Sequence, residues 1–175
     1  MNMEPVRFGV IGCGLMGREF ASVSMRWLHL ACELPRPVIV AACDLSPKNL
    51  DWFRQVPDTK YFYSDYHELL ANPEVEAVYC AVPHHLHAQV YGDVIRAGKH
   101  LIGEKPFGMD LAACEEVEAA MAGRPEVFVR CASEFPFYPA VQQMVKWYRE
   151  GAFGQIIEAR FAIKHSSDMD LAKPI

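Results

Sequence analysis

No stretch of this chain approaches the ~18 consecutive apolar residues that a membrane-spanning helix requires, and Met1–Arg7 lacks the apolar centre of a secretory leader. Basic residues do not cluster. With 17 Lys and Arg against 22 Asp and Glu, the net charge is −5, which argues against nucleic acid or an anionic membrane surface as a partner. The six cysteines, Cys13, Cys32, Cys43, Cys80, Cys114 and Cys131, contain no C-x-x-C pair. Most fall in apolar patterns and read as reduced core thiols, which fits a cytoplasmic protein. There is no low-complexity segment and no internal repeat beyond an alternation of strand-like and helix-like runs.

What is present is ordinary globular composition, with 51% hydrophobic and 22% charged residues. The length of 175 residues suits one domain with a stub of a second. The alternation predicts an α/β fold: a doubly wound, mostly parallel sheet with helices on both faces. Strands are expected at Arg7–Ile11, Val38–Cys43, Tyr61–Tyr63, Val75–Val82, His100–Gly103 and Glu126–Cys131. The first helix is expected to bury a stripe of Phe20, Val23, Trp27 and Leu30 and to end at Leu34–Pro37. Ser46 reads as a helix N-cap with Pro47 at the first helical position, and Asp110 as another N-cap. Leu86, Val90, Val94 and Ala97 form a helical stripe that stops at Gly98, and a last helix carries Val141, Met144, Val145 and Tyr148.

The tail changes period. From Ile156 to His165, Ile157, Ala159, Phe161 and Ile163 alternate with Glu158, Arg160 and Lys164. This predicts an antiparallel strand with one wet face, the opening strand of a second, incomplete α+β domain. The expected division is therefore 1–150 for a dinucleotide-binding domain and 151–175 for the start of a substrate and oligomerisation domain. A strand with unpaired edges and an apolar face also predicts self-association through this segment.

Chemistry concentrates at three places. Gly12-Cys13-Gly14-Leu15-Met16-Gly17 follows an apolar strand and opens a helix. The first glycine permits a tight turn, the second lets a pyrophosphate approach the backbone, and the third lets the helix pack on the sheet. Asp44, at the end of the second strand, can accept hydrogen bonds from both adenosine ribose hydroxyls. It lies further from the glycines than the usual ~20 residues, which a longer first helix and the Pro35/Pro37 connection would explain. Its charge favours NAD; Lys48, one turn on, keeps NADP open. At the end of the fourth strand stands Ala81-Val82-Pro83-His84-His85-Leu86-His87. The three histidines do not face one way on a helix start and so make a poor metal site; His87 also reads as a helix residue contacting backbone. The fifth strand runs into Gly103-Glu104-Lys105-Pro106. There Lys105 would sit at the cleft mouth, either as an exposed structural lysine or as a proton-exchange partner of a substrate hydroxyl.

With these segments in order, the chain resembles the glucose–fructose oxidoreductase / inositol dehydrogenase / rhizopine catabolism (Gfo/Idh/MocA) family of NAD(P)-dependent oxidoreductases. The matching pieces are Val10–Gly17, Asp44 with Pro47, Asp65–Leu70, Val78–Pro83 with His87, Gly98–His100, Glu104–Pro106, Pro139–Gln142 and Gly151 with Gly154. They span Arg7 to about Ile163. The resemblance implies hydride transfer between a hydroxyl of a sugar, cyclitol or related diol and the nicotinamide. It also implies a homo-oligomer built through the C-terminal sheet of the full-length protein. Residue by residue, it implies Gly12, Gly14, Leu15, Met16 and Gly17 at the pyrophosphate and Asp44 on the ribose. It further implies Val82, Pro83 and His87 along the cofactor, Glu104 toward the nicotinamide ribose, and Lys105 at both cofactor and reacting oxygen. The family's Asn-Arg-Arg type run is replaced by Glu134-Phe135-Pro136-Phe137. Its catalytic Asp and His have no counterpart in this sequence, so the chain is expected to bind cofactor with little turnover. The alternative is a non-catalytic dinucleotide-binding module completed by a partner.

Overall fold

The structure, a computed structural model, describes residues 3–30 and 33–162. Six strands form one parallel sheet: β1 (Val6–Ile11), β2 (Pro37–Cys43), β3 (Tyr61–Tyr63), β4 (Ala77–Cys80), β5 (His100–Gly103) and β6 (Val129–Cys131). Their order is β3-β2-β1-β4-β5-β6, so the chain reverses direction across the sheet between β1 and β4. That reversal opens a crevice at the carboxyl ends of β1 and β4, the place where doubly wound sheets bind ligands.

Helices cover both faces because the central strands β1, β2 and β4 are apolar and buried on both sides over most of their length. On one face α3 (Tyr66–Ala71), α4 (His87–Arg96) and α5 (Leu111–Ala122) bury Leu69, Val90, Tyr91, Ile95 and Val117 against Ile11, Val78 and Leu101. On the other, α1 (Leu15–Met25) and α2 (Pro47–Phe53) bury Ala21 and Phe53 against Phe8, Val10, Ile39 and Tyr79. Alternate residues of β1, such as Val10 and Ile11, serve opposite faces, as the two-residue period of a strand demands.

The first helix departs from the expected stripe. It ends at Met25, followed by a 3₁₀ turn at Trp27–His29, and its buried residues are Gly17, Ala21 and Ser24. Val23 and Leu30 are more than half exposed. Small residues win this face because they let the helix axis lie close to β1. Phe20 contributes from the flank, stacking on Tyr79 with ring centroids 4.2 Å apart. The extra length between Gly17 and Asp44 therefore lies in the connection, not in a longer helix. Asp110 caps α5 through the Ala113 N–H at 2.8 Å, as expected. Ser46 occupies the N-cap position of α2, but its side chain makes no cap hydrogen bond.

By internal contacts the chain divides into Met1–Ser133 and Glu134–Ile175. The second unit contains α6 (Pro139–Arg149), which starts on a proline and follows a 3₁₀ turn at Phe135–Phe137. The expected strand from Ile156 to His165 is not observed as far as Ala162: the segment joins no sheet, and Ile157 and Phe161 are largely exposed. A strand needs a neighbour for its backbone groups, and the described residues offer it none. Residues 163–165 of that expectation lie outside the described residues.

Candidate dinucleotide site

The turn out of β1 is forced by its glycines. Gly12 has φ +91°, and a Cβ there would be driven into the Ala81 carbonyl at the exit of β4. Its N–H instead continues the ladder to Cys43 O at 2.9 Å. A Cβ on Gly17 would collide with the Gly12 carbonyl, so α1 can lie against β1 only with glycine there. Gly14 differs: its Cβ position has nothing within 4 Å. The backbone at Gly14 is therefore open to a ligand at the start of α1. The leading N–H groups of a helix have no intrahelical acceptor, and no acidic side chain occupies this first turn. An anion is the complementary guest.

Beside this turn the Asp44 carboxylate is already organised. Oδ2 accepts the Cys13 N–H at 2.7 Å and the Asn49 amide at 3.2 Å, while Oδ1 accepts the Ser46 N–H at 2.7 Å. Through the last of these bonds Asp44 shapes the start of α2, where Ser46 makes no cap bond of its own. Burial, and then Asp44, push the Cys43 thiol up to about 12; the Cys13 thiol rises for the same two reasons, so both stay protonated and unreactive.

These elements enclose a cavity of about 620 Å³. Gly12, Gly14, Asp44, Val82 and Pro83 line it, joined by apolar Ile11, Leu45, Leu86 and Val90 and by Tyr66. A mostly apolar cleft with one carboxylate and an open glycine turn fits a dinucleotide's adenosine and diphosphate. Leu15 and Met16 stand exposed at the head of α1 and are not among the residues that line the cavity.

His87, Glu104 and Lys105 lie outside that cavity and meet at the ends of β4 and β5. The His87 ring is buried, with Nδ1 2.7 Å from Pro106 O and Nε2 3.0 Å from Val82 O. It ties the Val82–Pro83 floor to the Lys105–Pro106 segment, a brace across two strand exits. Glu104 is also buried: Oε1 accepts the Tyr79 hydroxyl at 2.6 Å and Oε2 the Lys105 N–H at 3.2 Å. Burial and the Glu104 contact hold the Tyr79 hydroxyl far above its ordinary range, so it remains a donor. Tyr91 donates to the Glu104 carbonyl at 2.7 Å and stacks on His87 at 4.7 Å. Lys105 is exposed, and its peptide bond to Pro106 is cis. Sequence reasoning missed Tyr79 and Tyr91; the one signal was a tyrosine inside an otherwise aliphatic strand. Among the described residues no group of histidine, cysteine and carboxylate side chains is arranged to hold a metal, and no helix is long and apolar enough to cross a membrane.

Sheet order, the glycine turn and the carboxylate beside it are those of a dinucleotide-binding α/β domain. Residues 6–131 match the family described as an oxidoreductase family with an NAD-binding Rossmann fold, and the chain belongs to this Gfo/Idh/MocA family. It is 31% identical over 159 residues to human trans-1,2-dihydrobenzene-1,2-diol dehydrogenase, covering 89% of this chain and 45% of that one. It is 42% identical over 100 residues to an uncharacterized oxidoreductase of Synechocystis, covering 57% of this chain and 26% of that protein. The chain thus spans less than half the length of these curated relatives. Levoglucosan dehydrogenase, solved in complex with NADH, superposes with a TM-score of 0.78 at 25% identity, over 87% of this chain and 41% of that one. Scyllo-inositol dehydrogenase from Lactobacillus casei, with bound NAD(H) and scyllo-inositol, shares the fold with a TM-score of 0.72 at 22% identity, over 86% of this chain and 43% of that one.

Proposed function

We propose that this chain is the cofactor-binding part of an NAD-dependent dehydrogenase that oxidises a hydroxyl of a sugar, cyclitol or related diol. The observation that carries the reading is the open backbone at Gly14 beside a 620 Å³ cleft that also holds Asp44. The relatives named for a diol and for levoglucosan support the substrate class. When bound, the nicotinamide ring supplies the hydride acceptor. The chain's own residues do the rest: the Gly12–Gly17 turn binds the diphosphate, Asp44 accepts from ribose hydroxyls, and Val82 and Pro83 form the floor. His87 positions that floor against Lys105, Glu104 approaches the nicotinamide ribose, and Lys105 contacts the substrate oxygen and exchanges its proton.

Thermal denaturation with added NAD tests this. Ligand at one hundred times its dissociation constant adds about 2.7 kcal/mol, which raises the melting temperature of a domain this size by about 5–10 °C. No shift with either NAD or NADP would overturn the reading. A polyol panel followed by NADH absorbance adds the catalytic arm: any turnover must vanish in Lys105→Ala, and turnover that survives removes Lys105 from its role.

A further inference from the structure

Lys105 leaves the sheet on backbone that side chains, not the strand ladder, hold in place. The last ladder bonds at the end of β5 run from the Glu104 N–H to Cys80 O at 3.0 Å and from the Ala132 N–H to Gly103 O at 2.7 Å. Beyond them the Glu104 carbonyl accepts the Tyr91 hydroxyl at 2.7 Å, and the Lys105 N–H donates to Glu104 Oε2 at 3.2 Å. Tyr91, on α4, is fully buried, stacks on His87 at 4.7 Å and meets the Phe107 ring at 5.4 Å. One side chain therefore touches residues before and after Lys105, whose own side chain is exposed. Gly103 belongs to the same arrangement. A Cβ there would lie 2.6 Å from the Tyr91 ring and 3.0 Å from its hydroxyl oxygen. Glycine weakens a strand interior and often marks a close approach; here the close neighbour is Tyr91.

We propose that Tyr91 is a positioning residue for Lys105: its hydroxyl fixes the Glu104 carbonyl and thereby the direction in which Lys105 enters the cleft. The inference rests on the dinucleotide reading above and on the place it gives Lys105. The Glu104 carbonyl and the Lys105 N–H belong to one peptide unit, and the Lys105 Cα lies in the same plane. Tyr91 holds the oxygen of that unit and Glu104 Oε2 its hydrogen, so the plane is clamped at both edges. With the hydroxyl gone, only one edge is held and the plane can turn, swinging the root of a long, exposed side chain. A misplacement of about 1 Å at a reacting group can cost about a hundredfold in rate. Burial, and then the neighbouring Cys80, Cys131 and Glu104, hold the Tyr91 hydroxyl far above its ordinary range, so it remains a donor.

The test follows the lysine Cε–Hε signals by NMR in the whole chain grown on isotope-labelled lysine, with the Lys105 signal assigned by its loss in Lys105→Arg. NAD carries a positive charge on the nicotinamide ring and NADH does not, so the difference between the two complexes at Lys105 reports its closeness to the ring. Wild type is expected to show that difference. Tyr91→Phe keeps the ring and its stack on His87 and removes only the hydroxyl; it should lose most of the difference while binding NAD as tightly as wild type. Tyr61→Phe, which deletes the bond to Glu74 on edge strand β3, controls for a general loss of stability and should keep the difference. Gly103→Ala reaches the same hydroxyl by another route, its methyl pushing the Tyr91 ring off the Glu104 carbonyl, and should reproduce the loss. The inference is overturned if Tyr91→Phe keeps the wild-type difference, or if Tyr61→Phe loses as much. It falls too if neither Tyr91→Phe nor Gly103→Ala keeps a melting transition, since Tyr91 would then serve the core alone. A wild-type Lys105 that does not distinguish NAD from NADH would instead remove Lys105 from the cofactor in the reading above, and the inference with it.

Discussion

Each glycine of the β1 turn answers to a different physical demand, and substitution separates them. At Gly14 the backbone φ is −70° and the Cβ direction is empty, so alanine is sterically acceptable to the fold. Gly14→Ala is expected to leave the melting temperature of the free chain within about 2 °C, equivalent to a surface change of about 0.5 kcal/mol. It should weaken NAD by about tenfold or more, because the added methyl stands where the diphosphate must approach. Gly17→Ala acts oppositely: its methyl meets the Gly12 carbonyl, and overpacking of this kind destabilises by about 1–3 kcal/mol. Paired melting curves with and without NAD decide both. A Gly14→Ala chain that bound NAD normally would place the diphosphate elsewhere. The sequence announced these three positions because glycine spacing is a local signal that survives translation into structure. Tyr79 and Tyr91 were not legible in the same way, whereas His87 was readable as a helix residue contacting backbone. The roles of the two tyrosines depend on Glu104, 25 and 13 residues away, and no local pattern encodes such a pairing.

At the scale of elements, the junction of α3 with α4 shows how a helix pair is latched and how pH should open it. Tyr66 donates to Asp93 Oδ2 at 2.7 Å, and Arg96 holds Oδ1 at 2.6 Å. Partial burial pushes the Asp93 carboxyl up, but the hydrogen bonds from Arg96 and Tyr66 outweigh it and leave the group below its ordinary value of 3.8. Burial, and then the bond to Asp93, raise the Tyr66 hydroxyl from 10 to about 12. The signs differ. A depressed carboxyl contributes stability above its unfolded value that is lost as pH falls through the folded one. A raised hydroxyl contributes stability below pH 10 that is lost as pH climbs toward about 12. Urea midpoints should therefore fall at both extremes, and Asp93→Asn should flatten both limbs relative to wild type. A variant with an unchanged acid limb would show that other carboxylates set it. Strand positions and the Asp110 cap were readable because period and cap chemistry are short-range. The α1 stripe was misread because tertiary packing preferred Gly17, Ala21 and Ser24, whose small side chains admit the close approach that Val23 would have blocked.

Over the whole molecule, stability is distributed around β1. This strand pairs with β2 on one side and β4 on the other, and its residues Val10 and Ile11 are buried from both faces. Its ladder amides can exchange with solvent only when most of the Met1–Ser133 unit opens. The proposed ligand sits at the carboxyl end of the same strand, so binding adds its linkage energy to every amide that exchanges by global opening. At one hundred times the dissociation constant of NAD, exchange at Val10 and at its β4 neighbours should slow by about one hundredfold. The segment 156–162 has no ladder in which to hide its amides. In dilute solution it should exchange at unprotected rates with or without NAD. Hydrogen–deuterium exchange followed by mass spectrometry resolves the two regions in one experiment. Uniform slowing of β1, β2 and β4 with no change in the tail is the expected pattern. Slowing confined to the Gly12–Gly17 peptide would mean that the turn closes on its ligand without coupling to the sheet, and the link drawn here between the cleft and the core would fail.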